Sequence, residues 1–323
     1  MSGFSVTHAP HIRAKDDSAR VMGYTIIALL PALAIGIYIF GINSIWMVIS
    51  CVIACVATEY LMHWMRGVKK TLPADVLSAS ITGLLIPMVV TPATPWWMTA
   101  IGGIFAISIV KHAFGGLGYN IFNPALAARA FMLASWPVIM TTWPKPFDAV
   151  TGATQLALVK SKALEMSITN MPAHLDTYWQ LLIGNHGGSL GETSVIALLI
   201  GGIFLLIKDV IDYRIPTGFI ISVGILSALF GADPIFQMMA GGLFLGAFFM
   251  ATDPVTKPMG RIGRWIFGIG CGIITVVIRF LGGYPEGVCY AILVMNGLTP
   301  LIDRYVVDRV YGHPSTRLRT GKK

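Results

Sequence analysis

Val21-Met22-Gly23-Tyr24-Thr25-Ile26-Ile27-Ala28-Leu29-Leu30-Pro31-Ala32-Leu33-Ala34-Ile35-Gly36-Ile37-Tyr38-Ile39-Phe40 is a run of twenty residues without one charged side chain. A helix rises about 1.5 Å per residue, so this run covers about 30 Å, the thickness of a bilayer's hydrocarbon core. The stretch before it is polar and carries Arg13, Lys15 and Arg20. No short apolar region with a small-residue cleavage site stands there, so the run is expected to be a retained span. The composition extends the argument to the whole chain. Of 323 residues, 55% are hydrophobic and 12% charged, with a mean hydropathy of +0.73. A soluble domain carries about a quarter charged residues. The 35 glycines and 18 prolines fit the same class, because membrane helices tolerate both when neighbours re-satisfy the backbone.

Ten apolar runs read as spans: 21–40, 45–65, 76–90, 97–110, 124–140, 194–207, 215–230, 235–250, 262–280 and 288–302. The third, fourth and sixth are short, which predicts broken or tilted helices, or irregular backbone lining a cavity. The fold class is therefore an all-α polytopic membrane protein of about ten transmembrane helices.

Charge orients these spans. Arg66, Lys69 and Lys70 follow the second, Lys111 and His112 the fourth, Lys208 and Arg214 the sixth, and Lys257, Arg261 and Arg264 the eighth. The tail adds Arg304, Arg309, Arg317, Arg319, Lys322 and Lys323. The connections 41–44, 91–95 and 231–234 carry no Lys or Arg. This alternation predicts both termini in the cytoplasm, with the long 141–193 loop on the outer side. The net charge of +8 thus follows topology and does not suggest a nucleic-acid partner.

A weak internal symmetry divides the chain. Gly115-Gly116-Leu117-Gly118 precedes Phe122-Asn123-Pro124-Ala125, and Gly241-Gly242-Leu243 precedes Thr252-Asp253-Pro254-Val255. Five spans on each side of one outer loop would form two inverted repeats. The expected organisation is a cytoplasmic arm (1–20), a first repeat (21–140), the outer loop (141–193), a second repeat (194–302) and a cytoplasmic tail (303–323). Cys51, Cys55, Cys271 and Cys289 all fall in apolar runs, with no C-x-x-C pair and no nearby His, so they read as buried and inert, and no metal site is expected.

The outer loop holds the stretch with the most chemical content: Asp148-Ala149-Val150-Thr151-Gly152-Ala153-Thr154. The pattern D-x-x-T-G-A-T resembles the sequence at which a flavin transferase esterifies FMN onto a threonine. Gly152 and Ala153 lack bulk, which lets the backbone extend into such an enzyme, and Asp148 could orient the segment. An ordinary turn would use the same small residues.

Further segments carry a wider resemblance. They include Ser18-Ala19-Arg20-Val21-Met22, Gly115 to Ala125, Ala127-Ala128-Arg129-Ala130-Phe131 and Gly191-Glu192-Thr193-Ser194. Later come Ala251-Thr252-Asp253-Pro254-Val255-Thr256, Phe280 to Gly287, and Pro300-Leu301-Ile302-Asp303. With the loop motif, these make nearly the whole chain resemble the D subunits of Rnf electron-transfer complexes, and the B subunits of the sodium-translocating NADH:quinone reductases. The short N-terminal arm favours the former. The resemblance implies covalent FMN on Thr154 and a noncovalent riboflavin among the helices. It implies a second FMN-bearing subunit, other membrane subunits, and soluble Fe–S and NAD-binding subunits as partners. It implies ferredoxin:NAD oxidoreduction coupled to sodium or proton movement, in a prokaryotic inner membrane.

The remaining candidate cofactor-binding residues are Asn120, Asn123, Arg129, Glu192 and Asp253. Asn120 and Asn123 are three apart and would share a helical face, where amides suit the edge of an isoalloxazine ring. Asn123 before Pro124 equally suits a helix cap. Arg129 sits about one turn into its span and must snorkel, pair or face a ligand. Glu192 is expected in a first helical turn, favoured by the macrodipole, near the flavin loop. Asp253 mirrors Asn123 as a cap or a ligand contact. Lys111 and His112 read as topological charges, and Glu59 and Asp75 as partners of Lys69 or Lys70. Trp96, Trp97, Trp136 and Trp143 read as an interfacial belt. No catalytic side chain is expected. The other function class left open is a urea- or ammonium-type channel, which inverted repeats of five spans would also describe.

Overall fold

The computed structural model describes residues 17–68, 71–144, 151–152, 156–157, 175–184, 186–283 and 286–306. Asp148, Ala153, Thr154, Lys69, Lys70 and the basic tail beyond 306 lie outside them. The described chain is helical apart from one two-stranded pairing.

Helix α1 (Ser18–Phe40) starts where the Asp17 carboxylate accepts the Ser18 N–H at 2.7 Å. Gly41, at φ 78°, turns the chain straight into α2 (Ile42–Met65). Helix α3 (Pro73–Val89) opens with Pro73 in its first turn and Asp75 Oδ2 accepting the Leu72 N–H at 3.1 Å. Helix α4 (Trp96–Phe105) continues into a π-helical turn, Ala106–His112. Helices α5 (Pro124–Ser135) and α6 (Pro137–Met140) follow. Strand β1 (Trp143–Pro144) pairs antiparallel with β2 (Thr151–Gly152), Trp143 opposite Gly152. Then come α7 (Leu175–Ile183), α8 (Val195–Ile207), α9 (Arg214–Leu229) and α10 (Pro234–Met239). Helix α11 (Leu243–Leu245) runs into a second π-helical turn, Gly246–Met250, before α12 (Arg261–Leu281) and α13 (Val288–Tyr305).

Among the described residues, three helices, α1, α2 and α12, are long and apolar enough to cross a membrane, and α3, α5, α8 and α9 are shorter apolar helices. Their outer faces are apolar too. Ile196, Ile200, Ile203 and Ile207 form an exposed stripe along α8, and Ile262, Ile266, Ile269 and Ile273 do the same on α12. Water would leave such contiguous patches unstable, whereas acyl chains solvate them.

Inside, close helix approach replaces hydrophobic expulsion as the organising force. A Cβ on Gly201 of α8 would lie 2.1 Å from the Ala28 carbonyl oxygen of α1. One on Gly272 of α12 would lie 1.7 Å from Ser222 Oγ of α9. Gly103 packs against Cys51 and Cys55, so those cysteines line a helix contact, and all four cysteines are buried as free thiols.

Two of the expected spans are interrupted. The run 124–140 breaks at Trp136, whose φ −132° and ψ 62° leave the helical region. Pro137 disfavours the α conformation in the residue before it. The run 235–250 breaks at Gly241 and Gly242, both left-handed at φ 72° and 63°, an angle that glycine alone adopts freely. A third irregularity matches the expectation from short spans. Helix α3 ends inside the protein, and the Met88 and Val90 carbonyls accept N–H groups of Gly191 (2.7 Å) and Leu190 (3.4 Å). Non-helical backbone at this depth persists because protein, not lipid, satisfies it.

Candidate functional site

Two polar sites form at opposite ends of α1, α3 and α8. The first gathers where the motif loop rejoins the helices. Leu156, two residues beyond Thr154, is buried with Leu181, Phe236 and Ala240. The strand pairing holds Thr151–Gly152 against the end of the α6 segment. Leu156 lines a pocket with Leu181, His186, Gly187, Glu192, Ala240, Gly241 and Glu286. The pocket encloses about 10 Å³, room for a single water.

Charge is dense around it. Arg129 of α5 is ion-paired with Glu286, which precedes α13. That resolves the arginine's choice: it pairs across the fold and does not snorkel. Arg279 of α12 is 4% exposed and donates to the Gln237 carbonyl (2.6 Å), Gln237 Oε1 (3.1 Å) and the Ala240 carbonyl (2.8 Å). It thereby satisfies the broken end of α10, while its Nε has no hydrogen-bond partner among the described residues. Glu192 is not in a first helical turn. Helix α8 starts at Val195, capped by Ser194 Oγ accepting the Ala197 N–H at 3.3 Å. Glu192 stands ahead of that cap, buried, with Oε1 against Gly242, where a Cβ would sit 2.4 Å away. Burial, then the negative charge of Glu286, pushes its carboxyl up to about 7. Burial also lowers the His186 imidazole, keeping it neutral near pH 7.

The second site is a cavity lined by Val21, Met22, Thr25, Ser78, Ile81, Thr82, Lys111, Asn120, Asn123, Phe248, Thr252 and Asp253, among others. Its volume is about 90 Å³, below the roughly 300–1,000 Å³ of small-molecule sites, so its walls would have to part for a larger molecule. Asn120 and Asn123 do meet here, but not on a shared helical face. Asn120 precedes the helix in irregular backbone and its amide donates to the Phe122 carbonyl at 3.1 Å. Asn123 caps α5, its Oδ1 accepting the Ala125 and Leu126 N–H groups at 3.0 and 3.4 Å. Its Nδ2 donates to the Met250 carbonyl at 3.3 Å. Asn123 is therefore consumed by structure, and Asn120 lines the cavity with its Nδ2 bonded to the Phe122 carbonyl. Asp253 caps no helix: it accepts from Thr256 Oγ1 at 3.2 Å, and α12 starts only at Arg261.

A cluster that the residue pattern hid adjoins this cavity. Lys111 and His112 are not surface charges but fully buried, each about 1% exposed. Lys111 Nζ donates to Glu59 Oε2 at 2.9 Å, and His112 Nε2 and His63 Nε2 lie 3.1 and 3.4 Å from Glu59 Oε1. The π-helical turn inserts an extra residue per turn, which rotates Lys111 and His112 inward. Arg66 anchors the turn's end through the His112 and Gly115 carbonyls, both at 2.8 Å. A usable signal existed in Glu59 and His63, one helical turn apart in an apolar span, since a charge there must find a partner. The ligand atoms of Glu59, His63 and His112 lie within 4.8 Å of one another. Arg66 Nη1 is 3.4 Å from His112 Nδ1, however, and an arginine only donates. Glu59 Oε1 and His112 Nε2 face each other without a hydrogen bond, and the bonded ion pair of the cluster is Lys111 with Glu59 Oε2.

Of the tryptophans, Trp96 and Trp97 are exposed as an interfacial belt requires, and Trp136 meets Trp97 edge-on. Trp143 is buried behind the strand pairing and does not belong to the belt.

Comparison with known proteins gives a uniform result. The model of the NQR2, RnfD, RnfE family matches residues 5–312. The chain is 48% identical to the D subunit of the Na(+)-translocating ferredoxin:NAD(+) oxidoreductase complex of Acetobacterium woodii, covering 95% of each chain. It is 44% identical to the D subunit of the proton-translocating ferredoxin:NAD(+) oxidoreductase complex of Clostridium ljungdahlii, covering 96% of each. It is 39% identical to the D subunit of the ion-translocating oxidoreductase complex of Stutzerimonas stutzeri, covering 93% of each.

Proposed function

The chain belongs to the NQR2, RnfD, RnfE family, and from that premise we propose that it is the flavin-bearing D subunit of an ion-translocating ferredoxin:NAD oxidoreductase complex in the prokaryotic inner membrane. It is a subunit of an oxidoreductase, working with other subunits of that complex. The carrying observation is geometric: one helix connects the motif-side pocket to the cavity. Ser78 and Thr82 of α3 line the cavity, and the Met88 carbonyl of the same helix holds the segment that bears Glu192. Ten residues of helix separate Ser78 from Met88, about 15 Å.

Flavins supply the electron-carrying chemistry that side chains lack. FMN would be esterified to Thr154, and the residues flanking that position suit it. Leu156 packs with Leu181, Phe236 and Ala240, a cluster that would anchor the segment following the attachment position. Asp148, Thr151, Gly152 and Ala153 would present the hydroxyl to the transferase. Riboflavin would occupy the cavity, with Asn120 at its polar edge, Asn123 and Asp253 shaping the wall, and Lys111 contributing a buried positive charge. Electrons would arrive from a second FMN-bearing subunit, ultimately from ferredoxin through Fe–S subunits, and leave toward NAD. The ion stays open between sodium and proton, since relatives at 48% and 44% identity carry different ions in their names. A quinone-reductase assembly is the second reading, favoured by the family description itself, and the terminal acceptor of the purified complex distinguishes the two.

The reading includes ten spans in two inverted halves, the recurrence of a π-helical turn after a broken or short helix supporting it. Reporter fusions at Lys323 and near Lys160 should then report opposite sides of the membrane. The same side for both would remove the inverted arrangement.

The direct test of the function is flavin fluorescence that stays with the full chain on a denaturing gel. For riboflavin, Asn120→Leu is the informative change. Asn123→Leu would also delete a helix cap worth about 1 kcal/mol. Acid-released riboflavin per covalent FMN in the assembled complex should fall at least about tenfold in Asn120→Leu, the loss of one well-made polar contact being worth that much. An unchanged ratio places riboflavin elsewhere.

A further inference from the structure

The cluster behind the cavity wall holds buried polar atoms that the ion pair of Lys111 with Glu59 leaves unbonded. Glu59 and His63 are one turn apart on α2, so their side chains share a face. The π-helical turn brings His112 against that face. His112 Nε2 lies 3.1 Å from Glu59 Oε1, and His63 Nε2 lies 3.4 Å from the same oxygen. The first distance suits a hydrogen bond, yet Glu59 Oε1 and His112 Nε2 have no hydrogen-bond partner among the described residues. Both side chains are fully buried. Buried polar atoms rarely go unpaired, and a hydrogen bond fails at this distance only when the two groups are not aimed at one another. Ligands of a common ion stand in this way, close together and directed at a third point.

We propose that Glu59, His63 and His112 form a site for a zinc(II) ion, which ties α2 to the π-helical turn. The site does not depend on any flavin. Zinc–ligand bonds of about 2.0–2.2 Å in tetrahedral array set ligand atoms about 3.3 Å apart. The two separations from Glu59 Oε1, 3.1 and 3.4 Å, bracket that value, and the third pair lies within 4.8 Å. Two imidazoles and one carboxylate, with no thiolate, are a donor set that zinc takes. Lys111 Nζ holds Glu59 Oε2 at 2.9 Å, so Glu59 offers the metal one oxygen. Asp75 Oδ2, 3.9 Å from His63 Nε2, sets a second negative charge beside the ion. An imidazole that binds through Nε2 carries its proton on Nδ1. For His112 this gives up the 3.4 Å contact with Arg66 Nη1, the longest that Arg66 makes. The Arg66 bonds to the His112 and Gly115 carbonyls, both 2.8 Å, still hold the guanidinium in place. Zinc has no redox chemistry. Its part here is positional, since fixing His112 fixes the adjacent Lys111 in the cavity wall.

The test uses the full-length, detergent-solubilised chain without a histidine tag, stripped by a chelator and then titrated with zinc. Elemental analysis should give one zinc per chain. The thermal unfolding midpoint should rise with zinc concentration, because an ion that binds only the folded chain stabilises it by mass action. X-ray absorption at the zinc edge should show nitrogen and oxygen neighbours with imidazole scattering. His63→Leu keeps the Glu59–Lys111 ion pair and should fold, but competition with a coloured chelator should find its zinc affinity lowered more than about 100-fold, the upper range for losing even an outer-shell partner. His112→Leu should lose zinc in the same way, and decides the matter if the first variant does not fold. A wild-type chain without stoichiometric zinc would overturn the proposal. So would a sulfur neighbour in the absorption spectrum, which would move the ion to the cysteines. Unchanged zinc affinity in either folded variant would overturn it as well.

Discussion

Thr154→Val should abolish covalent flavin entirely. The phosphoester needs the threonine oxygen, and valine keeps the shape of the side chain while replacing that oxygen with a methyl group. The variant chain should still insert and run at the same place on a gel, dark under ultraviolet light. Two companions make the result specific. Thr151→Val removes the other hydroxyl of the motif, at a position held in β2 opposite Pro144, and should keep its flavin. Thr154→Ser retains a primary hydroxyl and should keep at least part of it. Intact mass before and after mild phosphodiester cleavage gives the identity of the released group. Fluorescence that survives Thr154→Val would transfer the attachment to another residue, with Thr151 first in line.

Much of the fold could be read before any coordinates, because a bilayer imposes one strong rule: about twenty apolar residues with their backbone internally bonded. Helices α1, α2, α8, α9, α12 and α13 therefore lie close to the runs that hydropathy marks. The interruptions were harder. Trp136 and the Gly241–Gly242 pair sit inside apolar stretches whose composition continues unbroken, and only local backbone angles end the helix there. The same limit applied to the sites. Asn120, Asn123 and Asp253 line one cavity, where segments far apart in sequence converge. Their hydrogen bonds, though, depend on the Met250 carbonyl and on Thr256, which no spacing announces. Lys111 and His112 show the problem most clearly. At the end of an apolar run they resemble loop charges, and a single π-helical turn brings them into the interior. Glu192 was misplaced for a related reason: the cap that starts α8 is Ser194, two residues later than the glutamate suggests.

Glu59→Gln and Lys111→Met should each destabilise the chain heavily, by about 3–5 kcal/mol, because each leaves a buried charge without its partner. Glu59 is 0% and Lys111 1% exposed, and their 2.9 Å contact is the shortest route by which either charge is neutralised. The double variant Glu59→Met with Lys111→Met should recover most of that loss, since a well-packed apolar pair costs little where two ions are removed together. Thermal unfolding of the detergent-solubilised chain, followed by helical circular dichroism, reads all three. A double variant no more stable than the worse single would mean that His63 and His112, and not Lys111, carry the neutralisation of Glu59. The comparison also bears on why the pair exists. An apolar replacement of equal stability shows that packing alone does not require these ions, and stability then gives no reason to keep them. What remains is position: Lys111 forms part of the wall of the cavity and Glu59 lies directly behind it. Riboflavin content of the stable double variant separates the two uses of the same residues. Loss of riboflavin with stability intact ties the buried cation to the cavity's occupant, and full retention confines it to holding α2 against the π-helical turn.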